Sequence, residues 1–401
     1  MADRVQARVR GVRRSYRRSV ESFDVLVVGA GLAGLHTARR LAEAGLTVLV
    51  VDRRRSLTVG IRTTGIFVRR TLDDFDLPAR LLGPGVRDVL LYPPSRRAPV
   101  RLRSERDEYR VADMAAVYGH ARRAAEAAGA QVRLGVRYEG RAAGAVRLGG
   151  AEPVAARFVV GADGARSRVA RDLGLDVNRR FIVGAEIVHP IAQGRSAPAF
   201  HCVIDPRVAP GYLGWVIADG HSAHVGVAGY PAAMRAGVRR LLETFAADAP
   251  GRSAPTGPVE RRGGPIPVGG VLRRLACPDG LLVGDAAGAV SPLTAGGLDP
   301  CLRLSELAAT VTADYLRTGD TDVLRRYDGG ALRARFRGRL LLRRAFSGLR
   351  STVVAEAAVA LLRSRAGHAA AARILFGDGS FPSVTPAFSG TREAPTYEPG
   401  T

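Results

Sequence analysis

The stretch DVLVVGAGLAGLHTARRLAEAGLTVLVVDR, Asp24 to Arg53, constrains the fold more than any other part of the chain. Val25–Val28 is a short apolar run, of the kind buried on both faces of a parallel sheet. Leu32–Ala44 has helical periodicity, and Leu46–Val51 is a second buried strand. Gly29, Gly31 and Gly34 fall on the turn from strand to helix, around Leu32 and Ala33. Each glycine answers a physical demand: a tight turn at Gly29, close approach of backbone to a pyrophosphate at Gly31, and close helix–strand packing at Gly34. The free amides at the helix N-terminus face the phosphates. Asp52 closes the second strand, where it can bond adenosine ribose hydroxyls and disfavours a 2′-phosphate. The run Arg53–Arg55 beside it, led by Arg53, is either solvated surface or a lining for phosphate. Strand, glycine turn, helix and closing acid together specify dinucleotide binding, which a bare GxGxxG does not.

The rest of the chain reads as follows. Tyr109–Val132 is expected to be a long helix. FVVGADGARSRVARDLGL, from Phe158, is a strand running into the turn Gly161–Gly164 and then a helix. Phe181–Gly229 alternates, with the β-branched residues and turns of an antiparallel sheet. GLLVGDAAGAV is another strand ending in a turn, and Leu298–Leu316 is a helix whose buried face carries Cys301, Leu304, Ala308, Val311 and Tyr315. Between Leu332 and Arg350 lie seven arginines and no acids, with Leu342, Phe346, Leu349 and Val353 at helical spacing. That is a basic amphipathic helix, either packed with a solvated basic face or in peripheral contact with a membrane.

A chain of 401 residues exceeds one small core. No apolar run is long enough to span a bilayer. Cys202, Cys277 and Cys301 are too few and scattered for a disulfide framework or a zinc site, so a reducing cytoplasm is the simpler home. All 60 basic residues are arginine and the net charge is +23, which favours anionic partners. Nucleic acid is not expected, because no nucleic-acid motif accompanies the charge and aromatics are sparse. Residues 1–22 are a basic N-terminal arm without an apolar stretch, hence no secretory signal.

Three motifs now stand in order: GAGLAG with Asp52, then GADGARS, then GDAAG…TAGG. The trio resembles the FAD-dependent oxidoreductases of the aromatic hydroxylase and geranylgeranyl reductase superfamily. The last motif, GDAAGAVSPLTAGGLDPCLRLSELAA, and GYLGWVIADGHSAHVGVAG are closer to the geranylgeranyl reductase branch. The sequence departs from that branch where an aromatic-proline ending is replaced by Val216-Ile217-Ala218. GIRTTGIFVRR also lacks the cysteine–glycine signature of many reductases.

The resemblance implies an α/β fold: a three-layer Rossmann-like FAD-binding domain interrupted by an antiparallel β-sheet substrate domain, with C-terminal helices. The expected FAD segments are 23–80, 109–176 and 270–330. The substrate segments are 81–108 and 177–269, followed by a helical region over 331–378 and an irregular tail over 379–401. It further implies that Asp285 bonds the ribityl or pyrophosphate region, that Gly296, Gly297 and Leu298 set backbone against the flavin, and that Asp163 holds the loop along the cofactor. Arg62 and Arg110 are weaker candidates for its phosphates. NAD(P)H or another reductant would act as transient electron donor. Tyr212 and Trp215 would line a hydrophobic small-molecule substrate, or else be core.

The activities so implied are reduction of carbon–carbon double bonds in an isoprenoid or lipid-like substrate, hydroxylation of an aromatic or polyketide-like compound by a monooxygenase, or a redox-neutral cyclisation. No catalytic residue and no oligomeric state follow from the spacing. Cys301, on an apolar helix face, reads as packing rather than as a reactive thiol. His221 and His224 read as ordinary strand or turn residues rather than metal ligands.

Overall fold

The computed structural model describes residues 20–142, 145–192 and 198–377. The expected irregular tail and all but the end of the basic arm lie outside them. In chain order, β1 (Ser22–Val28), α1 (Leu32–Glu43) and β2 (Val48–Asp52) form the opening unit. Then come β3 (Ile66–Val68), α2 (Arg69–Asp74), β4 (Asp88–Tyr92), β5 (Val100–Arg103) and β6 (Tyr109–Val111). Next are α3 (Met114–Ala127), β7 (Gln131–Leu134), β8 (Arg137–Ala142), β9 (Ala145–Gly149), β10 (Val154–Gly161) and α4 (Arg168–Asp172). Strands β11 (Phe181–Pro190), β12 (Ala199–Val203), β13 (Gly214–Ala218) and β14 (Ser222–Gly229) precede α5 (Val238–Asp248) and β15 (Glu260–Pro267). The chain closes with β16 (Ala276–Cys277), β17 (Gly280–Leu282), α6 (Leu298–Thr318), α7 (Gly329–Ala334), α8 (Arg337–Ser347), α9 (Thr352–Leu361) and α10 (Arg365–Phe376).

Two sheets organise the molecule. The first runs β16-β17-β10-β1-β2-β7, with β9 branching from β10 to pair with β8. Its pairings from β17 to β7 are all parallel. Val25–Val27, Val48–Val51 and Phe158–Val160 are buried, as the apolar runs required. Helix α1 packs against both α3 and α6. The carboxyl ends of β1, β10 and β17 therefore meet at one edge, where an open parallel sheet binds its ligands.

The second sheet runs β15-β11-β14-β13-β12-β4-β5. It is antiparallel as expected, except that β4 joins β12 in parallel. On one face Val203, Val216, Val225 and Val227 pack under Leu242 and Phe245 of α5. The other face carries Trp215, Ile217, His224 and Glu186 toward the rest of the molecule.

Two helix expectations need correction. The helix foreseen over Tyr109–Val132 begins at Met114. Tyr109–Val111 is a strand paired with β3, and Asp113 caps the helix by accepting from Ala115 N and Ala116 N. The single basic helix foreseen over Leu332–Arg350 is broken after Ala334, where Phe336 is buried, and α8 stops at Ser347. Leu349 and Val353 therefore do not continue its apolar stripe. Nor is its basic face wholly solvated: Arg333 donates to the carbonyls of Gly269 and Val271, and Arg343 is buried.

Candidate cofactor and substrate site

The three glycines of the first turn do different things. A Cβ on Gly29 (φ +110°) would collide with the Ala162 carbonyl, and one on Gly34 with the Gly29 carbonyl. Both positions are closed by the protein itself. Gly31 faces open space and is the N-cap of α1, with no side chain capping the helix. Free amides, a positive helix end and room for an anion thus coincide beyond Gly31, Leu32 and Ala33.

Asp52 sits at the end of β2 as foreseen. Its Oδ2 accepts from Ala30 N (2.8 Å) and Arg54 Nη2 (2.8 Å), and its Oδ1 from Arg54 N (2.8 Å) and Nε (3.1 Å). Burial raises its pKa, but the hydrogen bonds to Arg54 outweigh that and hold the carboxyl below its ordinary value. Four donors fill the roughly four acceptor positions of a carboxylate, so a ribose hydroxyl must take the place of one Arg54 bond. Arg54, not the exposed Arg53, is the arginine turned inward here. It also lies 5.9 Å from the centroid of Tyr118.

At the carboxyl end of β17, Asp285 is partly exposed, and among the described residues no donor reaches its carboxylate. Desolvation pushes it up to about 6. It faces Gly297, where an added Cβ would lie 3.6 Å from Asp285 Oδ1. Between them the loop doubles back: Ser291 N donates to Gly296 O, and Ala295 holds φ +54°, strained for a residue with a Cβ. Gly297 caps α6 without a side-chain bond, so a second helix N-terminus, led by Leu298, opens beside Asp285. Cys301, one turn on, is buried, and desolvation pushes its thiol far above the ordinary value, which makes it inert packing.

Asp163 braces its own loop. Its Oδ2 accepts from Arg168 N (2.6 Å) and Val169 N (3.2 Å), while Oδ1 is buried without a partner. Burial, the largest influence, raises its pKa despite those bonds. Arg62 is exposed, its stem beside Gly264 of the second sheet, and Arg110 is half-buried with an unpaired Nε.

Tyr212 and Trp215 converge with Ile182, Ala228, Val268 and Ala295 in one apolar cluster, so the second sheet touches the loop leading to Gly297. Tyr212 Oη donates to the Thr294 carbonyl at 2.5 Å. The Trp215 ring covers Gly226, where a Cβ would meet it, and reaches Gly184. Gly184 pairs with Gly264 on the next strand. This part of the sheet is thus an apolar face, packed by Trp215 and adjoining the loop at Ala295.

A cluster the sequence reading missed lies at the other end of this face. His224 Nδ1 is 3.0 Å from Glu186 Oε1, and its Nε2 is 3.2 Å from Asp219 Oδ2, all with little exposure. Burial lowers the imidazole pKa, but the two carboxylates outweigh it and raise it to about 9. Among the described residues no cluster of ligands could hold a metal ion.

Comparison with known proteins bears on this arrangement. An FAD binding domain family model matches residues 22–191. The digeranylgeranylglycerophospholipid reductase 1 of Methanopyrus kandleri is 32% identical over 76% of this chain and 84% of its own length. The chain belongs to the geranylgeranyl reductase branch of the FAD-dependent oxidoreductases. A digeranylgeranylglycerophospholipid reductase of Methanosarcina mazei is 26% identical over 76% of this chain and 78% of that protein. A geranylgeranyl bacteriochlorophyll reductase-like protein from Thermoplasma acidophilum shares the fold, with TM-score 0.76, 22% identity and coverage of 90% and 98% of the two chains. A probable FAD-dependent monooxygenase from Pseudomonas aeruginosa shares it less closely, at TM-score 0.62 and 19% identity.

The residues of this geranylgeranyl reductase relative fit FAD. Gly31 leaves the room, the two helix N-termini supply donors and positive potential, and Asp285 offers a carboxylate that no protein donor has claimed. The chain is therefore a flavoenzyme of oxidoreductase type.

Proposed function

We propose that this flavoenzyme reduces carbon–carbon double bonds of an isoprenoid or lipid-like substrate. The observation that carries the reading is the apolar face of Ile182, Tyr212, Trp215 and Ile266, which packs against Ala295 of the loop leading to Gly297. It suits an extended hydrocarbon chain better than a compact, oxygen-rich ring. The names of the relatives support the same class.

Bound FAD, reduced by NAD(P)H or another donor, would supply hydride to one carbon of the double bond, and a proton drawn from solvent would complete the addition at the other. The chain's own residues do the rest. Gly31 and the α1 N-terminus take the pyrophosphate. Asp285 takes ribityl hydroxyls. The backbone at Gly296 and Gly297 would hold the flavin, and the α6 N-terminus would offset the negative charge of its reduced form by roughly 0.3–1 kcal/mol. Trp215 would pack against the substrate and exclude water. Asp163 keeps the β10–α4 turn against Gly29.

The C-terminal helices suit delivery of such a substrate from a membrane surface. Val353 is 74% exposed, Leu361 69% and Leu341 62%. Val353, Val354, Ala357, Ala358 and Leu361 form one outward face of α9. On the same helical region Arg337, Arg344, Arg350, Arg363 and Arg365 are exposed, while its sole acid, Glu356, accepts from Ser95 N. Exposed apolar residues accompanied by cations are what an anionic bilayer binds. Among the described residues no helix is long and apolar enough to cross a membrane.

The test is product analysis with and without oxygen. Dithionite-reduced protein given geranylgeranyl lipids should yield saturated product under anaerobic conditions. A hydroxylated product that requires oxygen would replace this reading with the monooxygenase.

A further inference from the structure

Helix α8 carries a cation against the apolar cluster of the second sheet. Arg343 is 3% exposed, and its Nε donates to Tyr230 Oη at 3.1 Å. Its guanidinium carbon lies 5.1 Å from the centroids of both Tyr212 and Tyr230. Nη1 and Nη2 are buried with no hydrogen-bond partner, and among the described residues no carboxylate pairs with them. Tyr212 and Tyr230 belong to that cluster with Trp215, and Tyr212 is bonded to Thr294 of the cofactor loop. One turn before Arg343, Arg339 Nη1 donates to Ser291 Oγ of the same loop at 2.7 Å.

A buried guanidinium without a counter-charge is costly, and protein interiors usually supply a carboxylate. Here two aromatic faces cover the charge, and they stabilise a cation far less than an anion does. An arriving anion would displace ring contacts rather than break an ion pair. The planar fork of Arg is matched to phosphate oxygens. In the same cluster Trp215 Nε1 is also a buried donor without a partner. The unmet groups here are donors, and what they lack is acceptor oxygens.

We propose that Arg343 is the anion anchor of the substrate site, binding a phosphate-type headgroup whose apolar tail packs against the cluster around Trp215. The assignment of the tail rests on the reductase reading. The anion site itself does not, because phosphate could also arrive on the nicotinamide reductant or as the free ion.

Trp215 is the sole tryptophan of the chain, so its fluorescence reports binding without turnover. The full-length, FAD-loaded protein is titrated separately with geranylgeranyl diphosphate, geranylgeraniol, inorganic pyrophosphate and NADPH. The diphosphate should bind at least tenfold more tightly than the alcohol, and pyrophosphate should compete with it. Arg343→Met should remove that preference while leaving affinity for the alcohol unchanged, and Arg343→Lys should restore part of it. Equal affinity for diphosphate and alcohol in the unaltered protein would overturn the proposal, whatever becomes of the variants. So would a preference that survives in Arg343→Met. If NADPH alone responds to Arg343→Met, the anion belongs to the reductant, and the headgroup assignment falls. Failure to reduce any isoprenoid despite headgroup-dependent binding would instead sink the reductase reading and leave the anion site standing.

Discussion

At the scale of single residues, the glycines of the first turn separate cofactor binding from folding. Gly29 and Gly34 are filled by the protein's own backbone, whereas Gly31 opens outward. Gly31→Asp should therefore leave the protein folded and abolish FAD retention, read as flavin absorbance per mole of purified protein. Gly34→Ala should instead reduce soluble, folded yield. Asp285 gives a second contrast. Its folded pKa of about 6 exceeds the ordinary carboxyl value of 3.8, so the FAD-free protein is stabilised by protonation and loses that stability as pH rises through about 6. A shift of this size corresponds to roughly 3 kcal/mol. Asp285→Asn should raise the melting temperature of the FAD-free protein at neutral pH, flatten its pH dependence between about 4 and 7, and weaken FAD binding. A lower melting temperature at neutral pH would mean that the carboxylate has a structural partner.

Among the elements, β11, the β13–β14 turn and β14 are locked by Glu186, Asp219 and His224. His224 titrates at about 9 when folded, against an ordinary value of 6.5. Its contribution is fully present below about 6.5 and lost as pH rises through about 9. Thermal unfolding followed across pH 6–10 should show that loss, and His224→Leu should abolish the step. The same variant should cost about 3 kcal/mol at neutral pH, because the buried Glu186 carboxylate loses its cation. None of this cluster is legible in the sequence, where 38 residues separate Glu186 from His224. The β1–α1–β2 unit was legible because everything that specifies it lies within 30 residues. Asp285, Gly297 and the α6 helix were likewise carried by one contiguous motif. The start of α3 was misread because Tyr109–Val111 is as apolar as the helix it precedes, and only its pairing with β3 marks it as a strand. Within the run Arg53–Arg55 the sequence does not single out Arg54, because neighbours on a turn look alike until the backbone directs one inward. The parallel join of β4 to β12 depends on segments more than 100 residues apart, which no local pattern encodes.

For the molecule as a whole, the proposed function makes the two sheets and the C-terminal helices a route from a lipid surface to the cofactor. The outward face of α9 is the entry in that account. Flotation with vesicles of phosphatidylglycerol should retain the protein, and uncharged phosphatidylcholine should retain it less. Val353→Asp together with Val354→Asp should weaken the partition by at least ~10-fold, since burying one such side chain contributes roughly 1.5–3 kcal/mol. Activity toward detergent-solubilised substrate should be unchanged. Equal retention of the double variant and the parent would place the membrane contact elsewhere. The central claim concerns the chemistry, and it is tested most directly by anaerobic single turnover. The FAD of the full-length protein is reduced stoichiometrically, mixed with a geranylgeranyl lipid without oxygen, and followed by flavin absorbance and by mass of the lipid. The account predicts that flavin is reoxidised as the lipid gains two hydrogens per double bond. Flavin that stays reduced with geranylgeranyl lipids until oxygen is admitted would contradict it.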